Sequence, residues 1–221
     1  MSTANDYIRA YMSERAVEPA RAALLIIDMQ NATGARDGPL GRRLRAEGSS
    51  LGDYRFDRIE RLVTPNALRL RERFRAIGRP VLHVTIGAAL PDASDAPPHM
   101  RRLFAETANH LGSPAHAIVD ALQPLPGEHV LRKTTIGAFA STNIDSLLRA
   151  LGADQLWLCG VSTNMCVETT AREAADRGYL VTLVEDACGT THEDLHQVTM
   201  RNFQRLFGRV RSTAQSLEEL A

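Results

Sequence analysis

The sequence predicts a three-layer α/β/α domain of Rossmann-like type on a six-stranded, mostly parallel sheet. Three observations lead there. Short apolar, β-branched runs alternate with helical stretches along 221 residues. The first run, AALLII at Ala22–Ile27, is apolar at every position, as a strand covered on both faces must be. Gly78, Gly152, Gly178 and Gly208 each close a helical stretch just before the next strand. Strand alternating with helix makes a parallel sheet with right-handed crossovers.

After the first strand, Thr64-Pro65 reads as an N-cap and first helical residue. Ala67, Leu70, Phe74 and Ile77 follow at helical spacing. PVLHVTI at 80–86 is the second strand and EHVL at 128–131 the third. Ser141 is placed to cap a helix whose core face is Ile144, Leu147, Leu148 and Leu151. QLWLC at 155–159 is strand four, a helix spans about 164–177, and YLVTLV at 179–184 is strand five. A helix over about 192–206 and a short sixth strand at Arg209–Arg211 complete the pattern.

Two stretches break the rhythm: 36–58, rich in Gly and Arg, and 87–127, rich in Pro and His. Both follow the C-terminal ends of strands, where open α/β sheets bind ligands. They read as lids or pocket walls, the alternative being surface insertions.

Composition excludes several classes. A hydrophobic share of 44% and a charged share of 24% support a packed core. Lys+Arg 26 balances Asp+Glu 26, so the basic footprint of a nucleic-acid binder is missing. No apolar run reaches the roughly 20 residues of a membrane helix. The first residues carry charges throughout, unlike a signal peptide. Three cysteines are too few for a disulfide framework. The expectation is a cytoplasmic, reduced, single domain over 1–221, with 1–20 an N-terminal arm available for oligomer contacts.

Three residues carry chemistry at one sheet edge. Asp28 ends the first strand and faces the crevice, unless it is only a turn residue. Lys133 ends the third, where it either snorkels to solvent or fixes a positive charge in the crevice. Cys166, in GVSTNMCVETT, enters the first turn of the helix after strand four. A helix start favours an anion, so its thiol pKa is expected to be lowered. Cys159 reads as core packing, and Cys188 as a loop residue. Asp28 as base and Lys133 as the charge holding the thiolate make Cys166 a nucleophile.

LLIIDMQN, followed by RKTTIGAFASTNIDSLLRALGADQLWLCGVSTNMCVETTAREAADRGYLVTLVEDACGTTHEDLH, resembles the isochorismatase-like superfamily of cysteine hydrolases. The resemblance runs from about 22 to 208. It implies strand order 3-2-1-4-5-6 and a catalytic triad falling on Asp28, Lys133 and Cys166. It also implies a cis peptide between Val161 and Ser162, which would aim the Ser162 and Cys166 N–H groups at an oxyanion. A homodimer or homotetramer goes with it.

The departures narrow the function. The family's nicotinamidase branch has an Asp-x-His metal site after its second strand, and HVTIGAALPDASD lacks it. No metal and no cofactor are therefore expected. Retention of Cys166 favours amide hydrolysis over vinyl-ether cleavage. DMQNATG replaces the common DMQNDF, so Ala32 and Thr33 alter the pocket wall. MRNFQRLFG resembles the biuret hydrolases, placing Gln204 on a substrate amide, the alternative being a surface glutamine. With aromatics at only 5%, a stacking cage is disfavoured and a small ureide suits better.

Two other features compete. HEDLH at 192–196 matches the H-E-x-x-H zinc motif, with Glu218 or Glu219 as a distant third ligand, but no metzincin extension follows. Arg42, Arg43 and Arg45 form a basic patch that reads as solvated loop. The expected protein is a cysteine amidohydrolase of a small linear ureide, biuret- or triuret-like, working through a thioester and releasing ammonia. The alternatives are an N-carbamoyl amino acid or ureidoacrylate-type amidohydrolase, and a non-catalytic small-molecule binder.

Overall fold

The computed structural model describes residues 7–11 and 15–221, so part of the expected N-terminal arm lies outside the described residues. The chain runs β1 (Ala22–Ile27), α1 (Asn31–Gly34), α2 (Pro39–Ala46), α3 (Leu51–Arg58), α4 (Thr64–Ala76) and β2 (Val81–Ile86). It continues through α5 (Pro98–Glu106), β3 (His129–Lys133), α6 (Ile144–Ala150), β4 (Gln155–Val161) and α7 (Glu168–Asp176). It ends with β5 (Leu180–Gly189), α8 (Glu193–Leu206), β6 (Arg209–Arg211) and α9 (Thr213–Glu219). The sheet order is β3-β2-β1-β4-β5-β6, and every pairing is parallel.

Two apolar layers sandwich this sheet, and β1 shows why. Ala23, Leu25 and Ile27 enter the core on one face, with α6, α7 and α8. Ala22, Leu24 and Ile26 enter the other, with α3, α4 and α9. A strand that alternates between two buried faces has no polar face to show. Among the described residues no helix is long and apolar enough to cross a membrane.

Three local expectations fail for physical reasons. Thr64 is not a helix start. Helix runs on from α3 through a π-turn at Ile59–Val63 into α4, where the Thr64 N–H bonds to the Ile59 carbonyl. The widened turn stands just ahead of Pro65, which has no N–H to give and would crowd a regular turn. Ser141 does not cap α6, whose cap position is Asn143; its hydroxyl takes the Thr134 and Thr135 N–H groups instead. The stretch 36–58 is not mainly loop, since it holds α2 and α3, whereas 87–127 is mostly irregular around α5.

Gly160 shows one requirement of the site. Its φ is +115°, and a Cβ there would stand 2.1 Å from the Ile27 carbonyl oxygen. Only glycine lets β4 pass this close to the end of β1, next to Asp28. A bulge between Leu158 and Gly160 marks the same place.

Candidate active site

Asp28 leaves β1 with a φ of 53°, a left-handed conformation. Asp tolerates it better than most residues, at a cost of order 1–2 kcal/mol. Its N–H donates to the Val84 carbonyl and its own carbonyl accepts from Gln30 N–H, which holds the turn. Lys133, the last residue of β3, has no exposed surface (0%) and does not snorkel out. Its Nζ donates to Asp28 Oδ2 at 2.9 Å and to the Thr135 carbonyl at 3.2 Å. That places a complete ion pair inside the protein.

Cys166 sits on a π-turn, Thr163–Val167, between β4 and α7, and is 7% exposed. The Met165 and Val167 N–H groups both bond back to the Ser162 carbonyl, which fixes the turn. The peptide between Val161 and Ser162 is cis. The Cys166 thiol lies close enough to both Asp28 and Lys133 to interact with each. Asp28 Oδ1 is buried without a hydrogen bond of full geometry, which leaves it open to the sulfur's proton.

The electrostatics correct one expectation. Burial, followed by the negative charge of Asp28, pushes the Cys166 thiol up to about 12, against the pull of Lys133. The helix-start effect, typically 0.3–1 kcal/mol, is small beside the lost hydration of a thiolate. Burial also raises Asp28, opposed by Lys133. For Lys133, burial works downward, but Asp28 and Cys166 carry the pKa above its ordinary value. The 2.9 Å pairing of Lys133 Nζ with Asp28 Oδ2 makes the cluster an ion pair beside a neutral thiol.

Asp28 and Cys166 open on a cavity of about 570 Å³, while Lys133 is paired to Asp28 off its wall. Arg55, from α3, also lines it, and the sequence reading missed it. It is 3% exposed, its Nε and Nη2 donate to the Thr33 carbonyl, and its Nη1 donates to Ser162 Oγ. Burial lowers its pKa to about 10, while Cys166 and Asp28 pull it back up. The signal in the sequence was a helical period: Arg55, Phe56, Ile59 and Val63 are all buried, a pattern hidden by reading 36–58 as a loop.

Other expected site residues fall elsewhere. Gln204 is exposed, about three turns into the fourteen-residue helix α8 whose start lies near the cavity, and is not on the cavity wall. Cys188 is not in a loop but buried in β5. In HEDLH, His196 Nδ1 pairs with Thr163 Oγ1 at 3.0 Å and Nε2 with an Arg58 nitrogen at 2.8 Å. Both ring nitrogens are engaged, so the motif ties α8 and α3 to the nucleophile turn. Among the described residues, no three His, Cys, Asp or Glu side chains are grouped to hold a metal. Thr33 does line the cavity, whereas Ala32 is in the core. Arg42, Arg43 and Arg45 are exposed on α2.

A parallel sheet whose C-terminal edge gathers a buried acid, lysine and thiol around one cavity is the layout of a hydrolytic α/β enzyme. The chain belongs to the isochorismatase family: residues 22–215 match the Isochorismatase domain. It is 35% identical over 217 residues to ureidoacrylate amidohydrolase RutB of Methylobacterium radiotolerans, covering 90% of this chain and 79% of that protein. A cysteine hydrolase from Pseudomonas syringae shares the fold, with TM-score 0.78 at 23% identity over 95% of this chain and 98% of that one. N-carbamoylsarcosine amidase from Thermoplasma acidophilum superposes with TM-score 0.68 at 26% identity, covering 87% and 96% of the two chains.

Proposed function

We propose that this protein is a cysteine-dependent amidohydrolase that cleaves the C–N bond of an N-carbamoyl compound of the ureidoacrylate or N-carbamoyl amino acid kind. The observation that carries this reading is the buried Asp28–Lys133 ion pair set beside the Cys166 thiol, with Asp28 and Cys166 on the cavity wall. The similarity to a ureidoacrylate amidohydrolase and an N-carbamoylsarcosine amidase favours it over a biuret- or triuret-like substrate. So does the place of Gln204, which the biuret reading needs at the substrate.

In the proposed reaction Asp28 takes the thiol proton and Lys133 holds the thiolate. Burial makes Asp28 a stronger base than an exposed carboxylate. Sulfur adds to the carbamoyl carbon, and the Ser162 and Cys166 N–H groups receive the oxyanion. As the C–N bond breaks, Asp28 returns the proton to the leaving nitrogen, and the amine departs. An S-carbamoyl thioester remains. Asp28 then deprotonates water, which adds to the thioester; the C–S bond breaks and the proton passes to sulfur. The released carbamate decomposes to ammonia and carbon dioxide. The same reading carries a cytoplasmic homodimer or homotetramer, checked by light scattering.

Ammonia release should be measured across ureidoacrylate, N-carbamoyl amino acids, biuret, triuret and nicotinamide. Turnover of the first two, lost in Cys166→Ala with unfolding unchanged, is the expected result. A protein that binds these compounds without turnover is a binder on this scaffold instead.

A further inference from the structure

We infer that the cavity selects carbamoyl acids with a bulky apolar body: Arg55 takes the carboxylate, and a wall of Leu40, Met100, Leu103, Ile136 and Met165 takes the apolar group. This rests on the proposed reaction for the carbamoyl end and adds how the rest of the molecule is recognised.

The first argument is charge. A buried guanidinium is almost always paired with an anion. Arg55 has only a carbonyl and a hydroxyl, with no carboxylate among its bonded partners. Cys166 and Asp28 act on it through space, but the thiol is neutral at rest and Asp28 is already paired to Lys133. Together Asp28, Lys133, Arg55 and the neutral Cys166 thiol sum to one positive charge. Moving the thiol proton to Asp28 leaves that sum unchanged, so catalysis within the cluster does not supply the missing anion. A ligand carboxylate does, and a guanidinium fork suits it.

The second argument is the make-up of the walls. Most of the uncharged polar lining, Ser162, Asn164, Thr169, Thr190 and Thr191, comes from the ends of β4 and β5 and the turn and helix that carry Cys166, with Thr33 added from α1 and His99 from α5. The apolar ones come mainly from α2, α5, the segment after β3 and, in Met165, the same turn, with Ile86 and Val161 at the ends of β2 and β4. An exposed ion pair between Arg43 and Glu106 links α2 to α5. Met165 is 53% exposed, an apolar contact left open to solvent. At about 570 Å³ the cavity is of the size that holds drug-like ligands. A bare ureide would leave most of the apolar wall against water.

The test compares N-carbamoyl-leucine, N-carbamoylglycine and the neutral N-carbamoyl-leucinamide. We expect kcat/KM for the leucine acid to exceed that for the glycine acid by about tenfold or more, as apolar side-chain discrimination allows. Leu103→Ala should narrow this ratio. Arg55→Gln should raise KM for the leucine acid by roughly tenfold or more with little change for the amide, and Arg55→Lys should restore part of the preference. Equal rates for leucine and glycine, or an acid-to-amide ratio unmoved in Arg55→Gln, overturns the inference while leaving the amidohydrolase reading intact. If nothing turns over, calorimetry on Cys166→Ala decides separately. Tighter binding of the leucine acid that depends on Arg55 supports the pocket and removes only the reaction. Binding without that preference overturns the inference.

Discussion

Lys133 Nζ stands 2.9 Å from Asp28 Oδ2, with the lysine 0% and the aspartate 2% exposed at the side chain. Neither charge is solvated, so each is the other's main compensation. Breaking such a pair typically costs 3–5 kcal/mol, because one charge is left buried alone.

Lys133→Met should therefore lower stability by about 3 kcal/mol or more in urea unfolding. Asp28→Asn combined with Lys133→Met should recover most of that loss, since no uncompensated charge remains. Additive losses in the double variant would show that the two side chains are held by other contacts.

Much of this arrangement was legible in the sequence. The AALLII run fixes β1 because a strand apolar on both sides fits only the middle of a covered sheet. Asp28 stands out as the first polar position after a buried run and Lys133 as the charged end of the third strand, which puts them at one edge. What stayed hidden depends on three-dimensional neighbours. Pro65 reads as a helix start because nothing local announces the π-turn at Ile59–Val63. Losing that helix also concealed Arg55. The final helix α9 had a usable signal, since Ser212 and Gln215 form a capping box. The direction of the thiol pKa had none, because it depends on burial and on a carboxylate 138 positions away in a 221-residue chain.

Stability should fall as the pH drops from about 6.5 to 4. Burial lowers His196 to about 4, aided by Arg58, and lowers His116 to about 4, aided by Arg132. An unfolded histidine titrates near 6.5. Between these values the unfolded chain binds protons that the folded chain refuses, so stability present above pH 6.5 is lost on acidification. Thermal unfolding across this range should show the decline, and His196→Gln should flatten it. An identical pH slope in His196→Gln removes that residue from the account.

Dialysis against a chelator should leave activity unchanged. The motive is the engagement of both His196 ring nitrogens by Thr163 and Arg58, which removes one ligand from HEDLH. Stoichiometric zinc by elemental analysis, together with lost activity, would restore the metal reading.

The last expectation concerns the resting thiol and its dependence on Lys133. Burial and Asp28 push Cys166 up to about 12, so the sulfur is protonated at neutral pH. Alkylation by iodoacetamide requires the thiolate, so its rate should climb steadily with pH and show no plateau below about pH 9. Lys133 pulls the value down, through its charge and its contact with sulfur. Removing it in Lys133→Ala takes away stabilisation of the anion, so the thiol pKa must rise and alkylation at any fixed pH must slow. Asp28→Asn has the opposite sign: it removes a negative charge beside the sulfur, so alkylation should quicken even as turnover is lost, because no base remains to carry the proton. The pH–rate profiles of the three proteins, each checked for native unfolding, separate the roles. If Lys133→Ala leaves the profile where the wild type has it, Lys133 does not hold the thiolate, and its bonds to Asp28 and the Thr135 carbonyl are its whole contribution.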